Sequence, residues 1–343
     1  MSDNSDKGFT GLVNLGNTCF LNSCMQALSH TYELTQFIES EKYIKNTKKK
    51  DTNIIINEWN DLRNVMWSKN GIVSPKRFVH HVQSIASEKN RELFTGYAQN
   101  DLPEFLLFLI ECMHDNISRS VKMNITGNVK NNLDKLAVSC YKMLQTIYSK
   151  EYSEIMDMFY GIYVSELTSL ENKTILSYRP ESYFILDLEI PKPNPSLEDC
   201  LNSFTDYEIL DGDNSWYNEK TKKKEAVKKR ITFFSLPKIL IITFKRFSID
   251  GTRKRQDLIR FPLKDLNLSN YVNGYNSKQY IYDLYAVCNH MGGPMGGHYN
   301  AFVKTKNNKW SLFDDSTVKM NIQESKIITP KAYCLFYRKR NII

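Results

Sequence analysis

The sequence predicts an α+β fold in which helices fill the first half of the chain and strands fill the second. Up to about residue 157, apolar residues recur at the three- and four-residue spacing of amphipathic helices. After Phe159, short runs rich in β-branched and aromatic residues alternate with turn residues. The 343 residues are enough for two average domains or for one large one, and they contain no internal repeat and no low-complexity linker.

The helical half is predicted from apolar periodicity and from residues that favour helix starts. Ser74 is expected to cap a helix that has Pro75 at its first position, and Asp101 to cap another that has Pro103 in its first turn. A polar surface turn is expected at 45–52. The predicted helices lie at 19–29, 32–44, 54–67, from 75 to about 85, at 101–114 and at 133–147, with a small one at 196–204.

Two sets of strands are predicted in the second half. The first set lies at 160–167, 174–178, 183–190 and 231–234, and the second at 240–247, 280–289, 298–304, 309–313 and 332–338. Within the second set, polar residues at 306–308 separate two runs that alternate in polarity. We therefore expect those two runs to pair as a hairpin.

Composition excludes several classes of protein. No window approaches the length of a membrane span, and residues 1–7 have no apolar signal core, so we expect a cytoplasmic or nuclear protein without membrane contact. Seven cysteines without a CxxC pair fit reduced thiols. The formal net charge is +8, but outside 48–50 and 220–230 the basic residues are scattered. This pattern favours a solvated lysine-rich surface over nucleic-acid binding.

The segment 11–28, GLVNLGNTCFLNSCMQAL, places a cysteine at the start of a predicted helix. Cys19 falls in the first turn, where free N–H groups and the helix dipole favour an anion and lower the pKa of a thiol. The side-chain amide of Asn14, five residues earlier, can donate to an oxyanion formed at Cys19. Cys24 lies about 140° further around the helix and is expected in the core. From this segment alone, a buried structural cysteine competes with a nucleophile as the interpretation of Cys19.

A second segment, 289–304, NHMGGPMGGHYNAFVK, favours the nucleophile. Its glycines let a backbone or a ligand chain come close to His298. Residues from His298 onward alternate as on a strand, and the returning strand 309–313 leads into Asp314. This hairpin is expected to set an acid at Asp314 beside a base at His298. With Cys19, the three residues supply a nucleophile, a base and an orienting group.

These segments resemble two conserved boxes of the ubiquitin-specific proteases, a group of deubiquitinating cysteine peptidases. The first is similar to the cysteine box GLxNLGNTCxxNSxxQxL, and the second to the histidine box GHYxAxV, followed at 310–315, WSLFDD, by a match to WxxFDDSxV. The segment 96–106, GYAQNDLPEFL, is similar to the family's GYxQQDxxEFL box. The order and separation of the boxes agree with the family across residues 8–340, which is nearly the whole chain.

The resemblance implies a single catalytic domain spanning 1–343, with a papain-like cysteine peptidase fold of the ubiquitin-specific protease type, laid out as a right hand. A helical thumb is expected at about 8–157, β-rich fingers at about 158–236 and a β palm at about 237–340. The cysteine then lies on the thumb, and the histidine and the acid lie on the palm. The cleft between thumb and palm is the expected active site.

The resemblance also implies catalytic roles. Cys19 is expected to be the nucleophile, His298 the base that activates it and Asp314 the acid that orients His298. Asp315 sometimes shares that role in relatives and remains the alternative. Asn14 matches the oxyanion-stabilising residue, a kind of donor whose loss typically costs ~10²–10³ in rate. The implied reaction is thiol-dependent hydrolysis of the isopeptide or peptide bond that follows the C-terminal Gly-Gly of ubiquitin.

Other residues match positions that hold the tail of ubiquitin. Asp101 and Glu104 match acids that bind an arginine of the tail, although a helix cap and a first-turn charge explain them equally well. His290 matches a position that lines the cleft, with a structural role as the alternative. The glycine-rich loop 291–297 is suited to wall a channel too narrow for a Cβ atom. The expected tail-binding residues are Gln99, Asp101, Glu104, His290, Gly297 and Tyr299.

The fingers depart from the pattern of many relatives, which carry two zinc-binding CxxC pairs there. The matching places in this chain are 169–172, SLEN, and 218–221, NEKT, which contain no thiol. Because a structural zinc site needs such soft ligands, we expect no zinc, and we expect no cofactor elsewhere. The fingers are then expected to rest on apolar packing through residues such as Ile162, Val164, Phe184 and Leu186.

Two alternatives to a deubiquitinase stay open at this point. An inactive ubiquitin-binding scaffold would keep the fold without turnover, and a protease for another ubiquitin-like modifier would share the Gly-Gly chemistry. The expected partners are ubiquitin and ubiquitinated proteins, and the expected oligomeric state is a monomer.

Overall fold

The computed structural model describes residues 7–41, 54–248, 250–293 and 296–340. The predicted surface turn at 45–52, the end of the predicted helix 32–44 and two residues of the glycine-rich loop, 294–295, lie outside the described residues. None of the described helices is both long enough and apolar enough to cross a membrane. The helices are α1 (Cys19–Ser29), α2 (Tyr32–Glu39), α3 (Ile54–Ser68), α4 (Lys76–Glu88), α5 (Leu102–Ile117), α6 (Asn132–Tyr148), α7 (Glu154–Phe159) and α8 (Leu197–Thr205).

Two of the predicted helix starts have the side-chain caps that their sequences favour. Asp101 caps α5, because its side chain accepts a hydrogen bond from the backbone N–H of Glu104, and Pro103 lies in the first turn. Ser196 forms a capping box with Asp199 at the start of α8. The prediction that Ser74 caps α4 is wrong. Pro75 has ψ 23° and itself occupies the N-cap position, so helical torsions begin one residue later, at Lys76.

Strands dominate the chain after α7, with two short ones before it. The strands at 10–12, 71–73, 208–225, 266–267 and 317–322 are not predicted from the sequence. Each of these strands is only two to six residues long. The strands are β1 (Thr10–Leu12), β2 (Gly71–Val73), β3 (Gly161–Ser169), β4 (Ile175–Tyr183), β5 (Ile185–Leu188), β6 (Glu208–Leu210), β7 (Trp216–Asn218), β8 (Lys223–Glu225), β9 (Val227–Ser235), β10 (Ile239–Phe244), β11 (Leu266–Asn267), β12 (Ile281–Gly293), β13 (Gly296–Lys304), β14 (Trp310–Asp314), β15 (Thr317–Ile322) and β16 (Ala332–Lys339).

A central sheet carries the second half of the molecule. Its strand order is β15-β14-β13-β12-β16-β10-β5, and β11 pairs with β12 beside that path. The predicted hairpin is confirmed: β13 and β14 are antiparallel, with Ala301 opposite Phe313 and Lys304 opposite Trp310. Strands β12 and β13 are also antiparallel and set His290 opposite Tyr299. The sheet therefore brings the start of β13, with His298, next to the end of β14, with Asp314.

A second sheet has the order β4-β3-β9-β6 and packs against α6. The predicted packing through Ile162 and Val164 is confirmed, since both are buried in a cluster with Leu136 and Phe234. The prediction is wrong for Phe184, which is buried in the cluster that contains Cys19 and Ile241, and it is wrong for Leu186. Leu186 lies on β5, which runs parallel to β10 in the central sheet, and it is opposite Ile242. An apolar run of this length suits either sheet, so only tertiary pairing decides its place.

Helix α1 is enclosed between the helical half and the central sheet. Every residue of α1 is buried, including the predicted core residue Cys24. On one side Phe20 meets Phe105 of α5 edge to face, with ring centroids 5.3 Å apart. Tyr299 of β13 belongs to the same buried cluster as Cys19. This packing fixes the first turn of α1 against the strand that carries His298.

Candidate active site

The turn before α1 is held by a network of local hydrogen bonds. Asn14 Oδ1 accepts from the backbone N–H groups of Gly16 and Thr18, at 3.0 and 3.1 Å. The hydroxyl of Thr18 accepts from the N–H of Leu15 at 2.9 Å. Gly16 has φ +98°, a conformation that favours glycine. The sequence thus builds a rigid entry that places Cys19 as the first residue of the helix.

Cys19 is buried, with 3% of its surface exposed. Burial raises the pKa of its thiol above the ordinary value, and the nearby Asp315 carboxylate raises it further. The backbone N–H groups of Tyr299 and of Phe20, in the first helical turn, act in the opposite direction. The prediction of a lowered pKa is therefore wrong for this state of the molecule. Loss of hydration outweighs the helix N-terminus, so a base must remove the thiol proton.

His298 and Asp314 form a hydrogen-bonded pair across the hairpin. His298 Nε2 lies 2.5 Å from Asp314 Oδ1, and both side chains are more than a third exposed. The amide of Asn300 is 3.5 Å from the other Asp314 oxygen. Because Nε2 is engaged by the carboxylate, Nδ1 is the ring nitrogen left to exchange a proton with Cys19. Asp314 thus takes the position expected of the orienting acid.

Asp315 lies close to His298 but forms its hydrogen bonds with the segment around the start of α1. Its two carboxylate oxygens accept from Asn14 Nδ2 at 2.9 Å and from Asn22 Nδ2 at 2.8 Å. Its backbone oxygen accepts from the N–H of Leu12 at 2.8 Å. Gly11 sits against the next residue, and a Cβ atom there would lie 2.3 Å from the backbone oxygen of Ser316. Asp315 therefore fastens the segment before α1 to the end of β14.

This contact changes what Asn14 can offer to an oxyanion. Its side-chain amide carries two N–H groups, and one of them is committed to Asp315. The predicted donor is thus a single N–H group whose direction Asp315 sets. Asn14 Oδ1 simultaneously holds the N–H groups of the turn, so the side chain cannot rotate without breaking several hydrogen bonds.

Gln99 joins the helical half to the glycine-rich strand end. Its Oε1 accepts from the N–H of Gly297 at 2.8 Å, and its Nε2 donates to the Gly297 oxygen at 3.1 Å. Gly297 has no room for a side chain, since a Cβ atom would meet His290 Nε2 at 2.3 Å and the oxygen of Met291 at 2.3 Å. The backbone of Gly297 is partly exposed. The side-chain amide of Gln99 forms with it the two hydrogen bonds that a neighbouring peptide unit would form.

His290 lies beneath this strand end and is buried among aromatic rings. Its ring centroid is 4.6 Å from that of Tyr299, 5.6 Å from that of Phe247 and 5.9 Å from that of Tyr333. Burial lowers the pKa of His290 to about 4, and Lys254 adds to the effect. These contacts favour the structural alternative for His290, in which it supports Gly297 from below. Tyr299 belongs to the same aromatic layer.

The two predicted tail-binding acids differ in what they contact. Asp101 Oδ1 caps α5 through the N–H of Glu104, and Oδ2 accepts from the hydroxyl of Tyr333 at 2.6 Å. Burial raises the pKa of Asp101, although the Tyr333 hydrogen bond opposes this. The Glu104 side chain is exposed and makes no hydrogen bond or ion pair with another described residue. The structure thus gives Asp101 a capping role and leaves the Glu104 carboxylate available.

The segment 218–225 forms a polar turn. It contains the second of the two places that match the CxxC pairs of the family pattern. Asn218 donates to Glu225 at 2.9 Å and accepts from the N–H of Lys220 at 2.9 Å. The hydroxyl of Thr221 also donates to Glu225, at 2.6 Å. In the part of the chain that the structure describes, the one cluster of three histidine, cysteine or acidic side chains with metal-ligand spacing is His298, Asp314 and Asp315. Its acids are already engaged by His298, Asn14 and Asn22.

A family comparison agrees with this geometry. The family model described as ubiquitin carboxyl-terminal hydrolase (UCH) matches residues 10–337. The chain belongs to this family. The match covers Cys19, His298 and the neighbouring acids Asp314 and Asp315 together.

Known proteins with similar sequences align with nearly the whole of this chain. Usp2 of Drosophila melanogaster is 35% identical over 350 residues, which are 98% of this chain and 35% of that protein. Human ubiquitin carboxyl-terminal hydrolase 2 is 34% identical over 352 residues, 98% of this chain and 56% of that protein. The Gallus gallus protein of the same name is 35% identical over 343 residues, 96% and 93% of the two chains. The chain thus spans about a third to a half of the length of the first two.

Solved structures with the same fold come from a SAGA DUB module. Ubp8 with Sgf11, Sus1 and Sgf73, bound to monoubiquitin, has a TM-score of 0.77 at 23% identity and covers 100% of this chain and 71% of that chain. The module bound to ubiquitin aldehyde has a TM-score of 0.76 at 24% identity and covers 100% and 72%. At this identity the likeness shows the fold alone. The predicted papain-like fold of the ubiquitin-specific protease type is confirmed.

Three residues of the site have no role in the sequence-based prediction. Asn22 and Asn300 contact the acid pair, and Tyr333 contacts Asp101. Asn22 carries a usable signal, because it is an amide on a helix whose other positions are mostly apolar and it stands inside the cysteine box. Tyr333 carries none, since a tyrosine in a strand is equally typical of the core.

Proposed function

We propose that this chain is a thiol-dependent deubiquitinase. It would hydrolyse the isopeptide or peptide bond after the C-terminal Gly-Gly of ubiquitin. The observation that carries the proposal is the His298–Asp314 pair beside the helix start that bears Cys19, in a member of the UCH family. Asp314 engages Nε2 of His298, and Nδ1 has no hydrogen-bond partner among the described residues. Nucleophile, base and orienting acid are thus supplied by separate rigid elements.

The reaction proceeds in two steps through an acyl-enzyme. His298 Nδ1 takes the proton of the Cys19 thiol while the sulfur attacks the carbonyl carbon of the last ubiquitin glycine. The remaining Asn14 N–H donates to the oxyanion, and the imidazolium gives its proton to the leaving amine as the C–N bond breaks. Water, deprotonated by His298, then attacks the thioester, and the proton returns to the sulfur as the ubiquitin carboxylate leaves.

The environment of Gly297 supports a glycine substrate. The strand end around Gly297 offers exposed backbone groups, and Gln99 faces them with a side-chain amide. A Gly-Gly tail can replace that amide and form backbone hydrogen bonds there without a Cβ to clash. The free Glu104 carboxylate suits a basic residue further along the tail. These features favour a ubiquitin-like C-terminus over an ordinary peptide.

A panel of modifier probes tests the function. Ubiquitin and other ubiquitin-like modifiers, each bearing a C-terminal electrophile, are incubated with the purified chain and with the Cys19→Ala variant. Covalent labelling of the wild type by the ubiquitin probe and none of the variant is the expected result. Ubiquitin binding without labelling would identify an inactive scaffold. Labelling only by a different modifier would reassign the substrate.

We further propose ubiquitin and ubiquitinated proteins as the partners, a monomeric state and a cytoplasmic or nuclear location. The seven cysteines, all unpaired in the structure, support a reducing compartment. The thumb, fingers and palm bounds near 158 and 237 likewise remain a proposal. Limited proteolysis and size-exclusion chromatography with light scattering test the bounds and the oligomeric state.

A further inference from the structure

A cavity of about 1000 Å³ lies apart from the cysteine cleft. Its described lining comes from α2 and α3 and from the ends of β12, β13 and β16 near residues 283, 304 and 339. None of the residues assigned to catalysis or to the ubiquitin tail lines it. Small-molecule sites in proteins typically have volumes of roughly 300–1,000 Å³, so the cavity has the size of a ligand site.

The charge of this cavity is strongly positive. Among the described side chains that line it, seven are cationic and three are anionic. Each of the three acids is paired within the cavity: Glu39 with Arg63, Glu33 with Arg338 and Asp283 with Arg340. The remaining cations make no ion pair with any described residue; they are Lys238, Lys304, Lys306 and Lys339. The excess charge is therefore not neutralised by any residue that the structure describes.

Three of the cavity's cations surround an aromatic wall formed by Tyr32, which lines the cavity, and Trp67, which is buried beside Tyr32. Lys306 Nζ lies 5.2 Å from the centre of the Tyr32 ring and 5.5 Å from that of Trp67. Arg338 lies 4.8 Å from the Tyr32 ring, and Arg63 lies 5.5 Å from the Trp67 ring. Thus three cationic groups from three separate elements surround one pair of rings, although like charges repel.

A buried histidine beside the aromatic wall is affected by the same three cations. His30 is fully buried, and its ring centroid is 5.1 Å from that of Trp67. Burial lowers the pKa of His30 to about 4, a backbone hydrogen bond to Gln26 opposes this, and Arg338, Arg63 and Lys306 lower it further. The three cations therefore act on a common point inside the protein.

The same place contains buried polar atoms without hydrogen-bond partners in the described structure. Three are donors: Arg63 Nε, Trp67 Nε1 and the hydroxyl of Tyr32. The remaining acceptor oxygen of Glu33 is also unpartnered, while its other oxygen accepts from Arg338. Native proteins seldom leave buried donors unpaired, and Arg63 is nine-tenths buried and lines the cavity. The four lysines that line the cavity without an ion pair to a described residue are the groups that call for an anionic partner.

We propose that this cavity binds a compact polyphosphate anion. Phosphate groups satisfy Lys and Arg donors through charge-assisted hydrogen bonds and can reach several cations at once. The concave shape and limited volume favour a small, highly charged ligand over an extended nucleic acid, which follows a basic stripe. The site is separate from the cleft, so the proposal goes beyond the deubiquitinase function and does not rest on it.

The test is a calorimetric titration of the purified chain with inositol hexakisphosphate, and with inorganic phosphate for comparison. The double variant Lys238→Gln/Lys306→Gln removes two cavity lysines, and a second variant, Lys238→Gln/Lys304→Gln, leaves the aromatic wall untouched. The control Lys220→Gln/Lys223→Gln removes the same charge from exposed positions of the β7–β8 hairpin. We expect one saturable site for the hexakisphosphate, weakened about 10–100-fold in both cavity variants and less than twofold in the control.

Vesicles containing phosphatidylinositol bisphosphate distinguish two sources of this chemistry. Vesicle binding that depends on the cavity lysines assigns a lipid headgroup, and binding of the soluble anion alone assigns a free polyphosphate; either result supports the site. Equal weakening by the control would show diffuse attraction to a basic protein and overturn the proposal. Absence of saturable binding to the wild type at micromolar concentrations would also overturn it.

Discussion

Asn14 donates a hydrogen bond of 2.9 Å to Asp315, the residue directly after the acid that engages His298. Asn22 donates to the other oxygen of the same carboxylate at 2.8 Å. Two neighbouring acids thus have different hydrogen-bond partners: Asp314 engages the histidine, and Asp315 engages the cysteine segment. Their positions predict different consequences when each is removed.

Replacing Asp314 or Asp315 with alanine should separate orientation of the base from support of the oxyanion donor. Asp314→Ala should lower kcat by about 10²–10⁴ with little change in Tm, because only the exposed His298 pair is lost. Asp315→Ala should lower kcat by ~10²–10³ through displacement of Asn14, and also lower stability by about 1–3 kcal/mol. Steady-state kinetics on a ubiquitin–amide substrate and thermal melts measure both. Equal effects in both variants would contradict this division.

Cys19 and Cys24 provide a matched pair on one helix. Cys19→Ala should abolish turnover and leave the affinity for ubiquitin nearly unchanged, because only the nucleophile is removed. Cys24→Ala should lower Tm and retain turnover, since Cys24 is a fully buried core residue. Activity assays and ubiquitin binding on both variants measure the difference. Residual cleavage by Cys19→Ala would show that the nucleophile lies elsewhere.

The acids at the start of α5 are expected to divide their roles. Glu104→Gln should raise the KM for ubiquitin substrates about 10–100-fold, because a charge-assisted contact to the tail is worth roughly 1.5–3 kcal/mol. Asp101→Asn should mainly lower Tm, since both of its oxygens are engaged by α5 and Tyr333. A double-mutant cycle with an arginine-to-glutamate change in the ubiquitin tail measures the coupling. Coupling to Asp101 but not to Glu104 would reverse the assignment.

Metal removal should leave the fold intact. The purified protein is expected to carry no stoichiometric zinc, because the fingertip segments 169–172 and 218–221 contain no thiol ligand. A chelator should therefore leave Tm unchanged. Elemental analysis and thermal melts with and without chelator measure this. One zinc ion bound per chain would refute it.

Two buried histidines predict a loss of stability in mild acid. The pKa values of His30 and His290 are both lowered to about 4, against about 6.5 in an unfolded chain. The unfolded state binds more protons between these values, so stability falls as the pH drops from about 6.5 to 4, by up to about 3 kcal/mol for each histidine. His290→Gln should flatten the dependence of Tm on pH, and the exposed control His80→Gln should not. An unchanged slope in His290→Gln would contradict this.

The sequence predicts those parts of the fold that are determined by local patterns of apolar and turn residues. Helix α1 begins and ends where its apolar spacing indicates, and the 298–314 hairpin forms because alternation and turn residues agree. Strand β15 was beyond such reasoning, since most of its residues are exposed at a sheet edge and its pattern is not apolar. Strand β5 was predicted as a strand but assigned to the wrong sheet, because pairing with β10 is a tertiary property.

In the candidate site, too, the sequence predicts the residue types but not the properties that depend on tertiary structure. The residue types at Cys19, His298 and Asp314 identify the chemistry because a nucleophile, a base and an acid recur in that order. The pKa of Cys19 could not be predicted in this way, since the helix N-terminus is visible in the sequence and the burial that outweighs it is not. Likewise, nothing local to Asn14 indicates that an acid about 300 residues later engages its amide.

The turn formed by Asn218, Thr221 and Glu225 has a consequence for oxidative stress. Amide, hydroxyl and carboxylate groups are inert to peroxide, whereas zinc-binding thiols are lost when they are oxidised. Sulfenic acid formation at Cys19 would therefore stop catalysis, while the β7–β8 tip would stay folded. Reduction by a small thiol should then restore activity at once, without a metal having to be reloaded.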